Sequence, residues 1–195
     1  MASLTEKRFQ YISWEIEADG KDVNLHSKIY NDIKKLIKDI KNENIVIAIG
    51  LNPSNTTVFN DDETNLYLRD KIKVKFECEG YILTNIFPTI DPNSNNISLN
   101  DTDPNHITDL IKLLDNFEEN KIVLFFGQKG VDLLNSKNND LQNLKNKFLN
   151  IGKNRTNKVY YTASIPTFKH PSRLKQNYTL EPFDANILEK IKEEK

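Results

Sequence analysis

One cysteine, one methionine, one tryptophan and three histidines are all that this 195-residue sequence holds of those types. Cys78 alone leaves no internal disulfide, and no thiolate-bound zinc or iron–sulfur cluster without other ligands or chains. His26, His106 and His170 lie far apart along the chain, so no metal and no cofactor is expected. No apolar run approaches the roughly 18 residues of a membrane span. The opening MASLTEKRFQ lacks the apolar core of a secretion signal, and a cytoplasmic protein with no membrane partner is expected. GxxxxGK[ST], GxGxxG and G-x-S-x-G are all missing, which withdraws support from a P-loop, a dinucleotide site and a serine-hydrolase elbow.

With 37% hydrophobic and 28% charged residues and few glycines and prolines, the composition suits a globular protein. The length suits one domain over residues 1–195. The formal net charge is −1, but it is unevenly spread. From Leu141 to Leu180 there is no Asp or Glu, while Lys145, Lys147, Lys153, Arg155, Lys158, Lys169, Arg173 and Lys175 give about +8. Gathered on one face, these side chains would suit a phosphate backbone; scattered, they are a solvated lysine-rich surface.

FQYISWEIE alternates like a strand. HSKIYNDIKKLIKDIK repeats Ile29, Ile33, Leu36, Ile37 and Ile40 at helical spacing, so a strand-then-helix extension is expected over about residues 1–42. The apolar runs IVIAIG, YILTNIF, KIVLFFG and VYYTASI read as strands. Between them lie helical patterns over Glu63–Glu77, His106–Phe117 and Gly130–Leu149, the last broken near Asn138, and DANILEKIKEE reads as a closing helix. This alternation predicts an α/β fold: a three-layer α/β/α sandwich around a mainly parallel sheet. Ligands of such sheets bind beyond the carboxyl ends of the strands. There the sequence places GLNPSN, TNIFPT, GQKG and KHPSRLK, which bring Asn52, Thr84, Asn85, Gln128, His170 and Ser172 toward one crevice.

The ordered set GLNPS, YILTNIFP, IVLFFGQKG and HPSRL, spanning Ile45 to Leu174, resembles the uracil-DNA glycosylase superfamily. The chain also resembles an uncharacterised bacterial family often found on mobile elements, with LNPS, a following Asp61-Asp62-Glu63-Thr64 and a late His-Pro. The first resemblance implies a uracil-DNA glycosylase-like fold and cofactor-free hydrolysis of a base–deoxyribose bond. In that reading Asn52 and His170 are catalytic: Asn52 orients water through its amide carbonyl, and His170 hydrogen-bonds the pyrimidine oxygen where negative charge grows. Asn85 reads the base, since its amide matches the N3–H and O4 edge of uracil and opposes that of cytosine. Gly50 and Leu51 offer backbone near the base. Phe59, or else Tyr67, stacks on it. Leu174 fills the vacated stack, Ser172 grips a phosphate, and Lys169, Arg173 and Lys175 add phosphate contacts.

Every one of these residues also has a purely structural reading. Asn52 and Asn85 fit as loop caps, His170 before Pro171 as a rigid turn, Phe59 and Leu174 as core, and Asp61 and Asp62 as a helix start. Ser54 stands where the most uracil-selective branch carries a methyl-excluding Tyr, so 5-substituted uracils join the expected substrates. Arg173 departs from the usual Pro of that motif. The absence of a lysine from GLNPS, YILTNIFP and HPSRL argues for a monofunctional enzyme, acting as a monomer on single- or double-stranded DNA. The alternatives are a noncatalytic DNA- or nucleotide-binding module serving a mobile element, and an enzyme of free nucleosides or modified nucleotides.

Overall fold

The computed structural model describes residues 9–16, 22–41, 43–53, 63–91, 93–154, 159–164, 167–168 and 179–182. The strands are β1 (Phe9–Ile16), β2 (Asp22–Tyr30), β3 (Ile45–Gly50), β4 (Gly80–Asn85), β5 (Lys121–Leu124), β6 (Val159–Ser164), β7 (Thr167–Phe168) and β8 (Thr179–Pro182). The helices are α1 (Ile33–Ile40), α2 (Glu63–Phe76), α3 (Pro104–Asn116), α4 (Gly127–Leu134) and α5 (Asn139–Asn154).

The strands form one sheet in the order β2-β1-β4-β3-β5-β6-β7, with β8 also paired to β6. Its centre is parallel, β4 and β5 flanking β3 and β6 following β5. All six residues of β3 are buried, as a parallel strand covered on both faces requires. Ile45, Ile47 and Ile49 face a core built with Leu36 of α1, Leu110 and Leu114 of α3, Val131 of α4 and Phe148 of α5. Val46 and Ala48 face the other way, against Leu68 and Ile72 of α2 with Tyr81, Val123 and Phe125. Helices therefore cover both faces, and each fully buried Leu or Phe contributes about 1.5–3 kcal/mol.

Two expectations need correction. The sheet is mixed rather than mainly parallel, because β1, β2, β7 and β8 all pair antiparallel at its margins. The N-terminal extension is a hairpin followed by a helix: His26 to Tyr30 belong to β2, whose register on β1 runs from Phe9↔Tyr30 to Glu15↔Asn24 before a bulge. Ile29 lies four residues before Ile33 and so mimicked a helical stripe, but cross-strand pairing decides its state. The helix begins only where Asp32 accepts a hydrogen bond from the Lys34 amide at 2.9 Å. Strand β8 had no distinct signal in the sequence. The break near Asn138 is present, its Oδ1 accepting from Leu141 N at 3.1 Å as α5 starts. The expected closing helix lies outside the described residues.

Candidate functional site at the carboxyl ends of β3, β4 and β5

From β3 the chain passes to β4 on one side, then returns to β5 on the other. Neighbours whose continuations diverge in this way open a crevice at their carboxyl ends. The backbone stays paired into that region: Ile86 N donates to Gly50 O, Phe87 N to Leu51 O and Phe125 N to Ile49 O, each at 2.9 Å. Gly50, Leu51 and Asn52 thus lie between Asn85 and Phe125 on rigid elements.

Gly50 is required by close approach. A Cβ there would stand 2.6 Å from Asn85 Oδ1 and 2.7 Å from the Phe125 ring. Asn85 is only 8% exposed, and no described residue is bonded to its side-chain amide. A ligand edge offering both a donor and an acceptor would match that amide. The Asn85 carbonyl, in contrast, lies 2.7 Å from Nε2 of the fully buried His106. A carbonyl only accepts, so Nε2 carries the proton. His106 is held in turn at the start of α3, where Asp103 Oδ1 accepts from the amides of Asn105 at 2.9 Å and His106 at 3.2 Å, and Pro104 occupies the first turn.

Asn52 is half-buried, and its Nδ2 donates to Asp91 O at 2.7 Å and Pro53 O at 3.2 Å. Two carbonyl acceptors fix which end of the amide is nitrogen, and no described residue donates to Oδ1. Asp91 belongs to a tight turn: its amide donates to Pro53 O at 3.2 Å, and its carboxylate accepts from Asn93 N at 2.7 Å and Asn96 Nδ2 at 3.1 Å. The loop after β4 therefore aims the Asn52 amide.

Of the residues expected at the site, Gly50, Leu51, Asn52 and Asn85 come together here. The Leu51 side chain is itself in the core, so only its backbone faces the site's chemistry. Thr84 is buried one residue before Asn85. Gln128 opens α4 but donates along its own helix to Asp132 Oδ1 at 3.1 Å. Tyr67 lies on α2 with its side chain outside the described part of the molecule. Phe59, Lys169, His170, Ser172, Arg173, Leu174 and Lys175 lie outside the described residues, as do Ser54, Asp61 and Asp62. Within the basic stretch, Lys147 is ion-paired to Asp115 of α3 and Lys145 bonds Asn135 Oδ1 at 2.6 Å. Both contacts hold α5 in place.

Sequence reasoning missed His106, Asp91 and Phe125. For His106 the only signal was local: Asp103-Pro104 marks a capped helix start, which says nothing of the Asn85 carbonyl that the histidine meets. At the opposite, amino ends of β3 and β5, a cavity of about 370 Å3 is lined by Lys41, Glu43, Asn44, Glu119, Asn120 and Lys121 among others. Asn120 donates from it to Ile45 O at 3.0 Å, tying the β3 start to the turn before β5.

The molecule is an α/β protein in which Asn52 and Asn85 lie at the switch point of the parallel strands. It belongs to the DUF1643 family, described as a protein of unknown function, which matches residues 24–172, about three quarters of the chain. The matched span runs from β2 into the His170-Pro171-Ser172 stretch and so contains Asn52, Asn85 and His106. Comparison with curated proteins gives no match, and comparison with solved structures gives none. No described helix is long and apolar enough to cross a membrane.

Proposed function

We propose that this protein is a monofunctional, cofactor-free DNA glycosylase with a uracil-DNA glycosylase-like fold, releasing uracil and 5-substituted uracils from single- or double-stranded DNA. The observation that supports the reading is the placement of Asn85, 8% exposed, with its side-chain oxygen beside Gly50 and the Phe125 ring at the ends of three adjoining strands. In the flipped state a uracil N3–H donates to Asn85 Oδ1 and its O4 accepts from Nδ2, whereas cytosine presents the reverse pattern. Asn52 Oδ1 accepts a hydrogen bond from the water that attacks C1′, and the proton this water loses as the C1′–OH bond forms passes to solvent. The C1′–N1 bond breaks, its electron pair leaves with N1, and His170 donates to the pyrimidine oxygen that shares this charge. As an amide, Asn52 orients the water rather than deprotonating it. Ser172, Leu174 and the cations Lys169, Arg173 and Lys175 grip the opened strand.

One observation favours a second reading, a noncatalytic DNA- or nucleotide-binding module of a mobile element. The Asn52 amide nitrogen already ties β3 to the Asp91 turn, which gives that residue a structural task. Incubation with oligonucleotides carrying one uracil, followed by alkaline strand cleavage, separates the two. The glycosylase reading expects abasic sites from the parent protein and a loss of about 100-fold in Asn52→Ala and His170→Ala. DNA binding without cleavage, indifferent to both substitutions, overturns it in favour of the binding module.

A further inference from the structure

We infer that His106 is a positioning residue for the base-reading amide of Asn85. The described ladder between β1 and β4 ends at the pair Phe9↔Thr84, so the Asn85 carbonyl lies one residue beyond its last rung. His106 Nε2–H donates to that carbonyl at 2.7 Å. On the other side of the same peptide unit, Ile86 N donates to Gly50 O at 2.9 Å. The peptide joining Asn85 to Ile86 is thus held at both ends, and a peptide plane held at both ends fixes the direction in which the Asn85 side chain leaves the backbone.

The imidazole has its own supports. It is fully buried, its ring centroid lies 5.5 Å from that of Phe9, and its backbone amide is capped by Asp103 at 3.2 Å. A histidine placed for packing alone would not need its Nε2 proton on that carbonyl. Loss of the donor leaves the carbonyl buried and the peptide free to turn, and the amide at the base edge turns with it.

The inference rests on Asn85 as the base reader, and its test separates the two ideas. His106→Phe keeps a ring against Phe9 without the donor; His106→Gln restores an N–H at similar reach; His106→Met replaces Phe if that variant does not fold. Single-turnover uracil release is measured for each, alone and combined with Asn85→Ala, alongside the side-chain amide resonances of Asn85 in the ligand-free protein. Expected are a loss of about 10-fold for Phe, recovery of most of it by Gln, and no further loss when Phe is added to Asn85→Ala. The Asn85 amide resonances should move in Phe and return in Gln. Equal losses in both backgrounds, or amide resonances unmoved by Phe, overturn the positioning role. A parent protein that releases no uracil overturns the glycosylase reading instead, and the resonances then decide the positioning by themselves.

Discussion

Asn85 Oδ1 lies 2.6 Å from the place a Cβ on Gly50 would occupy, so two neighbouring strand ends meet here with no space for a side chain. The Phe125 ring closes the same space from β5 at 2.7 Å. Gly50→Ala must therefore push aside either the ring or the amide, an overpacking expected to cost about 1–3 kcal/mol in urea unfolding. Adding Phe125→Leu removes the crowding ring atoms and should recover part of that stability. Under the proposed glycosylase function it should not recover uracil release, because the Asn85 amide stays displaced. Equal recovery of both would show that the ring alone is crowded.

Asn52 joins its two tasks through one amide. Its nitrogen donates to the Asp91 and Pro53 carbonyls, and its oxygen is the atom to which the proposed function assigns the water. In Asn52→Asp an ionised carboxylate faces those carbonyls with no donor, so its folded pKa should rise above the unfolded value of about 3.9. A raised pKa means that stability is intact below the unfolded pKa and is lost as pH rises through the folded one. Thermal unfolding of the variant should therefore approach the parent at pH 4 and fall below it at pH 7. A constant difference across that range would rule out the carboxylate's charge as the cause.

Much of the fold was legible because burial on two faces leaves a strong mark. IVIAIG, YILTN and KIVL are continuous apolar runs bounded by polar turns, and each became a parallel strand. The hairpin was not legible, since Ile29 fits a helical and an alternating pattern equally and only its pairing with Gln10 of β1 decides between them. The short β8 carries too few residues to show a period. At the site, the Asn residues were visible as polar groups ending buried strands. His106 was not, because its value depends on the Asn85 carbonyl, 21 residues away in sequence. Nor was Asp91, whose carbonyl acts on Asn52 from 39 residues away.

Alkaline pH should weaken the fold. Burial pushes the Cys78 thiol from 9.0 up to about 11. Tyr11 is likewise raised by burial and by its hydrogen bond to Glu43, and Tyr30 by burial. Each group stays protonated in the folded chain at a pH where the unfolded chain has lost the proton, so stability present below pH 9 declines as pH rises through about 11. The Cys78 share is about 2 kcal/mol. Urea unfolding between pH 8 and 11 should show the decline, with a shallower slope in Cys78→Ala. An unchanged slope would assign the loss to the tyrosines.

Gly80 marks the join between the hairpin and the parallel centre. A Cβ there would lie 2.6 Å from the Ile12 carbonyl oxygen and 3.1 Å from Ser13 Cα, both backbone atoms that cannot turn away as a side chain does. Gly80→Ala should therefore force β1 off β4 at the end where Gly80 pairs with Ser13. Native-state hydrogen exchange reads this directly. The Trp14 amide, which donates to Glu79 O at 3.2 Å, should exchange faster in the variant, while amides of β3 and β5 keep their protection. Uniform acceleration across the sheet would mean that the hairpin and the parallel strands open as one cooperative unit.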